Sequence, residues 1–166
     1  MRRPGMRSIL AAVALMVFAQ VSTANTEAAS ANAARVAQAF EAWKQGRGSV
    51  FDLLAEEAVW TVAGVSPVSG TYQSRGELIA RAVDPIHAQL STPITPVLRH
   101  VVAQGDQVVV LWDGTATARD GSLYENHYAW HLQMRDGRIV RVIAFLDTWR
   151  LNELMADQCA DTRPRL

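Results

Sequence analysis

The chain has 166 residues, with 16 Lys and Arg against 16 Asp and Glu, 49% hydrophobic residues and a single cysteine. That length suits one domain large enough to bury a real core. The balanced charge gives no footprint for nucleic acid, and a lone Cys159 excludes an internal disulfide.

Arg2, Arg3 and Arg7 precede an uncharged apolar run from Ile9 to Val21, followed by the small residues Ser22, Thr23 and Ala24. This is the order of a secretory signal peptide, expected to span residues 1–24 with cleavage after Ala24. The competing reading is an uncleaved anchor, but the run falls short of the roughly 20 residues a spanning helix needs. Cleavage would place the mature protein in the periplasm or outside the cell, with no membrane contact. It would also remove three basic residues and no acidic one, leaving thirteen against sixteen, a net charge of −3. Residues 25–33 read as a flexible lead-in, 34–151 as the domain, and 152–166 as a polar tail. In that tail Cys159 is open to two roles, a free thiol or a bond between chains.

Val36, Phe40 and Trp43 recur at helical spacing in an alanine-rich stretch from Ala28 to Lys44, which ends at Gly46 and Gly48. Ser49 is placed to cap a short second helix carrying Phe51, Leu53 and Leu54. Ala58 to Val65 reads as a strand, and Gly64 to Gly70 as a turn-rich segment. A third helix follows from Ser74 with Leu78, Ile79, Ala82, Val83 and Ile86 on one face, and Pro85 is expected to kink or shorten it. Beyond Pro93 and Pro96 the period falls from 3.6 to 2. Four strands are predicted: Ile94 to Ala103, Gln107 to Ala118, Leu123 to Met134 and Arg138 to Trp149. Gln104-Gly105-Asp106, Arg119-Asp120-Gly121 and Arg135-Asp136-Gly137 supply glycine where hairpins need positive φ, so neighbours should be antiparallel. Helices first and a meander of long strands afterwards is an α+β layout, with a curved sheet wrapped around the N-terminal helices as a cone.

The run from Gly121 to Trp130, GSLYENHYAW, then Asp136-Gly-Arg-Ile-Val, then Phe145-Leu-Asp-Thr148, resembles the SnoaL-like branch of the NTF2-like superfamily. That pattern has a Tyr-x-Asn-x-Tyr strand, an Asp-Gly-Lys/Arg-Ile hairpin and a closing strand ending in aspartate. Upstream, Leu54 to Trp60, the glycine-rich loop to Gly70 and Ser74-Arg-Gly-Glu-Leu fall in the same order. The resemblance covers about Ala34 to Leu151. It implies a cone-shaped α+β fold with an antiparallel or mixed sheet and an apolar pocket at the open end. It further implies a homodimer in many members, with neither metal nor organic cofactor. Members include polyketide cyclases, ketosteroid isomerases, epoxide hydrolases, dehydratases and non-catalytic binding modules, so activity has to be argued from the site.

Alternation on the Leu123 to Met134 strand puts Tyr124, Asn126, Tyr128 and Trp130 on one face and Glu125, His127, Ala129 and His131 on the other. By the resemblance the first face lines the pocket; Trp60 and Trp112 are candidates for further walls or for ordinary core, two compatible roles. On the last strand Ile143, Phe145 and Asp147 share a face, which is expected to bring Phe145 and Asp147 to the same cavity. Family members of the cyclase type use a carboxylate there as acid/base, and desolvation against aromatics would raise its pKa into the useful range. Asp147 is therefore the catalytic candidate. Its alternative is a strand-end cap or an ion pair with Arg150 or Arg141. Departures from the enzymes stand against catalysis: Thr61, Val62 and Ala63 replace the isomerase base, Ala144 replaces a frequent glutamate, and Leu111-Trp112 carries no acid. His100, His127 and His131 could assist Asp147, but the last two fall on the opposite face, and no histidine set has metal-ligand spacing.

Two readings follow. One is an exported binding module for a small lipophilic or aromatic molecule, lined by Trp60, Trp112, Asn126, Tyr128 and Phe145. The other is a cofactor-independent isomerase, cyclase or hydrolase using Asp147. A third, a dimerisation scaffold, requires a cone filled by its own side chains.

Overall fold

The computed structural model describes residues 6–156, with side chains from Asn25 onward. The side chains of residues 6–24, where a signal peptide was expected, and Cys159 with the rest of 157–166, lie outside the described residues.

Helix α1 runs Met6–Lys44. Residues 6–44 contain neither glycine nor proline and are rich in alanine, so nothing in the chain interrupts helix propagation before Ala28. The segment 25–33, expected as a flexible lead-in, is therefore helical. Val36 and Phe40, four residues apart, are buried on the face that meets the sheet. The helix ends at Gly46, whose φ of 67° lets Arg47 N–H return to the Ala42 carbonyl at 2.9 Å. Ser49 then caps a 3₁₀ turn, Val50–Leu53, in a capping box in which Asp52 accepts from the Ser49 N–H at 2.8 Å.

Strand β1 (Leu54–Val62) is followed by β2 (Gly70–Tyr72), a short edge strand without a sequence signal. Ser74 caps α2 (Arg75–Leu78), which passes through a π turn at Ile79–Val83 into α3 (Asp84–Ala88). Pro85 was expected to kink or shorten this helix. Instead, Asp84 N–H bonds to the Ile79 carbonyl five residues back, and the widened turn accommodates a proline that has no N–H and would crowd the preceding turn.

The sheet continues with β3 (Thr95–Gln104), β4 (Gln107–Thr117), β5 (Leu123–Arg135) and β6 (Arg138–Leu146). Its order is β2-β1-β6-β5-β4-β3. All neighbours are antiparallel except β1 and β6, which are parallel. The architecture is thus α+β with a curved, mixed, unclosed sheet. At the β5–β6 turn Asp136 and Gly137 both have positive φ, 52° and 72°, the backbone of a two-residue type I′ hairpin. Strand β6 stops at Leu146, and helix α4 occupies Thr148–Ala156 with Leu151 and Leu154 buried. The folded region thus extends past the expected boundary at 151.

Candidate functional site

Helices α1, α2, α3 and α4 and the inner sheet face border a partly open cavity of about 90 Å³. Its aromatic wall comes from Trp43 on α1, Phe51 in the 3₁₀ turn, Trp60 on β1, Trp112 on β4, and Tyr124, Tyr128 and Trp130 on β5. The rings pack by their quadrupoles: Trp60 meets Trp130 edge-on at 4.8 Å and 82°, whereas Trp112 and Tyr128 stack at 3.8 Å and 6°. Gly114 makes that stack possible. A Cβ there would lie 2.9 Å from Trp112 and 3.2 Å from Tyr128, so strand β4 needs a residue without a side chain behind the two rings. Leu78, Ala82, Val83 and Ile86 cover the opposite side, and Leu151 of α4 reaches the same space.

Few polar atoms face this space. His87, four residues after Val83 and so on the same helix face, is one. A second polar group belongs to the wall itself: the Trp112 indole N–H is buried without a partner among the described residues. The third group is a chain of side chains along β5: Asn126 Nδ2 donates to the Tyr124 hydroxyl at 3.1 Å, and that hydroxyl lies 3.0 Å from the Tyr128 hydroxyl. Burial raises the pKa of Tyr124, and raises that of Tyr128 well above its ordinary value, with the adjacent Tyr124 adding to the effect. Both phenols are therefore neutral at physiological pH and act as hydroxyl donors and acceptors.

Of the residues expected at the site, Trp60, Trp112 and Tyr128 line the cavity together. Asn126 does not join them as a free polar group. It is 1% exposed, and its amide is fully used. Besides Tyr124, Nδ2 donates to the Asp147 carbonyl at 2.9 Å, and Oδ1 accepts from the Asp147 N–H at 3.1 Å and the His127 N–H at 2.8 Å. Phe145 lies on the outer face, 54% exposed. It pairs with outward-facing Ala129, whereas Leu146 pairs with Tyr128 and turns inward with Ala144 and Val142. The alternation along β6 was correct, but the face assigned to it was reversed.

Asp147 is exposed and stands after the last residue of β6, where strand alternation no longer applies. Its Oδ1 accepts from the Trp149 and Arg150 N–H groups at 3.0 and 3.2 Å, making it the N-cap of α4. No Asp, Glu, Lys or Arg is among the described residues lining the cavity. His127 is on the outer face, bonded through Nδ1 to Asp113 at 2.7 Å, and Asp113 also accepts from Arg99 at 2.6 Å. His100 lies beside this cluster, and His131 pairs with Val109 on the same face.

The sequence alone put Tyr124 and Trp130 on the pocket face but gave no site role to Trp43, Phe51 or His87. Trp130 was legible from β5 alternation and His87 from its spacing to Val83. Trp43 and Phe51 carry only a core-like signal until the helix is docked on the sheet.

A helix folded against a curved six-stranded mixed sheet, with an apolar cavity between them, defines an NTF2-like protein. The profile of the SnoaL-like domain matches residues 36–142, and the chain belongs to that family. Solved structures of the same fold include Bal32a, from a soil-derived mobile gene cassette, with TM-score 0.63 and 23% identity over 76% of this chain and 98% of that one. An NTF2-like protein of unknown function from Burkholderia pseudomallei has TM-score 0.63 and 23% identity, covering 75% and 97%. TerC, co-crystallised with polyporic acid, has TM-score 0.62 and 20% identity, covering 76% and 98%. Among curated proteins no relative matches the sequence.

Proposed function

We propose that the protein binds a small lipophilic or aromatic molecule in this cavity, and that binding rather than acid–base catalysis is its action. The observation that carries the reading is an aromatic wall drawn from helices and sheet, with no Asp, Glu, Lys or Arg among the described lining residues. Such a space rewards apolar surface at about 25 cal/mol per Å² and penalises an anionic ligand, whose lost hydration no Lys or Arg there repays. Catalysis by Asp147 has less support, because its carboxylate is exposed and engaged at the α4 N-terminus. A scaffold with a filled cone has less support, because about 90 Å³ is left empty.

Two further elements belong to this proposal. The protein is exported after loss of residues 1–24, which leaves in place the part of α1 that packs, from Asn32 bonded to the Gly105 carbonyl at 3.2 Å to buried Phe40. It also forms a homodimer through the outer sheet face, where Val109, Leu111 and Phe145 are 38%, 40% and 54% exposed, an apolar patch of the kind partners cover. A monomer in sedimentation at high concentration would refute that interface.

The test of binding is a thermal-shift screen of wild type and Asp147→Asn against lipophilic ketones, epoxides and phenols. A ligand at a hundred times its Kd stabilises the fold by about 2.7 kcal/mol. Equal stabilisation of both proteins with no turnover is expected. Turnover by wild type alone would overturn the binding reading in favour of acid–base catalysis.

A further inference from the structure

The Asn126–Tyr124–Tyr128 chain has a definite direction. The Asn126 carbonyl oxygen faces two backbone N–H groups, of His127 and Asp147. A flipped amide would set N–H against N–H, so the orientation is fixed by the backbone. Both Nδ2 protons are then committed, one to the Asp147 carbonyl and one to the Tyr124 oxygen. Tyr124 and Tyr128 share a single contact of 3.0 Å but own two hydroxyl protons. Whichever phenol donates to the other, one proton has no acceptor among the described residues. Donation from Asn126 into Tyr124 polarises the Tyr124 hydroxyl outward, which favours the order Asn126 to Tyr124 to Tyr128 and leaves the terminal proton on Tyr128. Both phenols line the cavity.

We infer that the cavity selects neutral ring compounds carrying one carbonyl-type oxygen, and that this oxygen accepts the terminal proton of Tyr128. The inference rests on the cavity being a ligand site and names what that ligand must present. Three observations support it. A buried donor left without an acceptor is costly, so a pure hydrocarbon fills the space but leaves the hydroxyl unsatisfied. A carboxylate or sulfonate meets no Lys or Arg among the described lining residues. The ring stacked on Tyr128, that of Trp112, also carries a buried N–H without a partner among the described residues, so this wall supplies no acceptor for a further donor. Burial keeps Tyr128 protonated, so it offers a hydroxyl rather than a phenolate.

The experiment compares 1-indanone with indane, one bicyclic skeleton with and without the carbonyl, by calorimetry on wild type, Tyr128→Phe and the Tyr124→Phe/Tyr128→Phe double variant. Wild type is expected to prefer 1-indanone about tenfold, the worth of one buried hydrogen bond. The preference should fall below about threefold in Tyr128→Phe and vanish in the double variant, with indane affinity held within about threefold. The infrared carbonyl stretch of 1-indanone bound to wild type needs no variant and should lie below its position in hexane. Equal binding of the two compounds to wild type, an undiminished preference in Tyr128→Phe or an unshifted stretch would each overturn the inference while leaving the cavity reading standing. Failure of both compounds to bind at millimolar concentration would overturn both.

Discussion

Replacing Asn126 with alanine separates a ligand-orienting role from the one the hydrogen bonds describe. The side chain makes four bonds, two of them to the backbone of Asp147, and so ties β5 to the junction where β6 becomes α4. Alanine strands the Asp147 N–H and carbonyl, the His127 N–H and one lone pair of Tyr124. Asp147 and His127 are exposed residues whose backbone can recruit water, so those losses count near the net value of about 0.5–1.5 kcal/mol each at most. The Tyr124 end is buried and loses its only donor from Asn126, a penalty of about 1–3 kcal/mol. With water replacing the three backbone partners at the low end, about 0.5 kcal/mol each, the expected destabilisation is about 2.5–4.5 kcal/mol, a large share of the 5–15 kcal/mol typical of a domain. With an m-value of about 1–3 kcal/mol per M, the urea midpoint should fall by about 1–2 M. Amide protection at Leu151 and Leu154 should fall with it, because α4 loses its anchor. A midpoint within about 0.3 M of wild type, with α4 protection unchanged, would refute the clamp.

Asp147 should behave as a helix cap: Asp147→Asn stays within about 0.5 kcal/mol of wild type, whereas Asp147→Ala costs about 1 kcal/mol in urea unfolding. Equal losses in both variants would count against capping. On the outer face, the bond to Asp113 raises the pKa of His127, while Asp113 is lowered first by His127 and then by Arg99, with Glu125 adding to the His127 shift. The aspartate contribution to stability is present above its unfolded value of about 3.9 and lost as pH falls through its lower folded value. The histidine contribution is full below about 6.5 and lost as pH rises through its higher folded value. The urea-midpoint gap between wild type and His127→Gln should therefore be widest from about pH 4 to 6.5 and close in alkali; a gap constant with pH would contradict the pairing.

The sequence by itself determined the local structure that short-range chemistry controls. Ser49 and Ser74 each offer a hydroxyl to an unpaired helix N–H, and Asp136-Gly137 admits the positive φ of a tight hairpin. The alternation from Tyr124 to Trp130 places their side chains on one face whatever β5 pairs with. The ordered motifs from Leu54 to Thr148 were enough to indicate the SnoaL-like family. The tertiary structure decided what depends on partners distant along the chain. Alternation ranks β6 residues by parity but not by face, and only pairing Leu146 with Tyr128 sends Phe145 outward. Asn126 looked like a pocket amide until folding brought in Asp147, 21 residues on. Asp147 itself left the strand pattern because its carboxylate satisfies the first amides of α4. The cavity is likewise a tertiary property: Trp43, Phe51, His87 and Leu151 come from separate helical segments and share a wall only after each has docked, since no local signal distinguishes an aromatic that fills a core from one that borders an empty space.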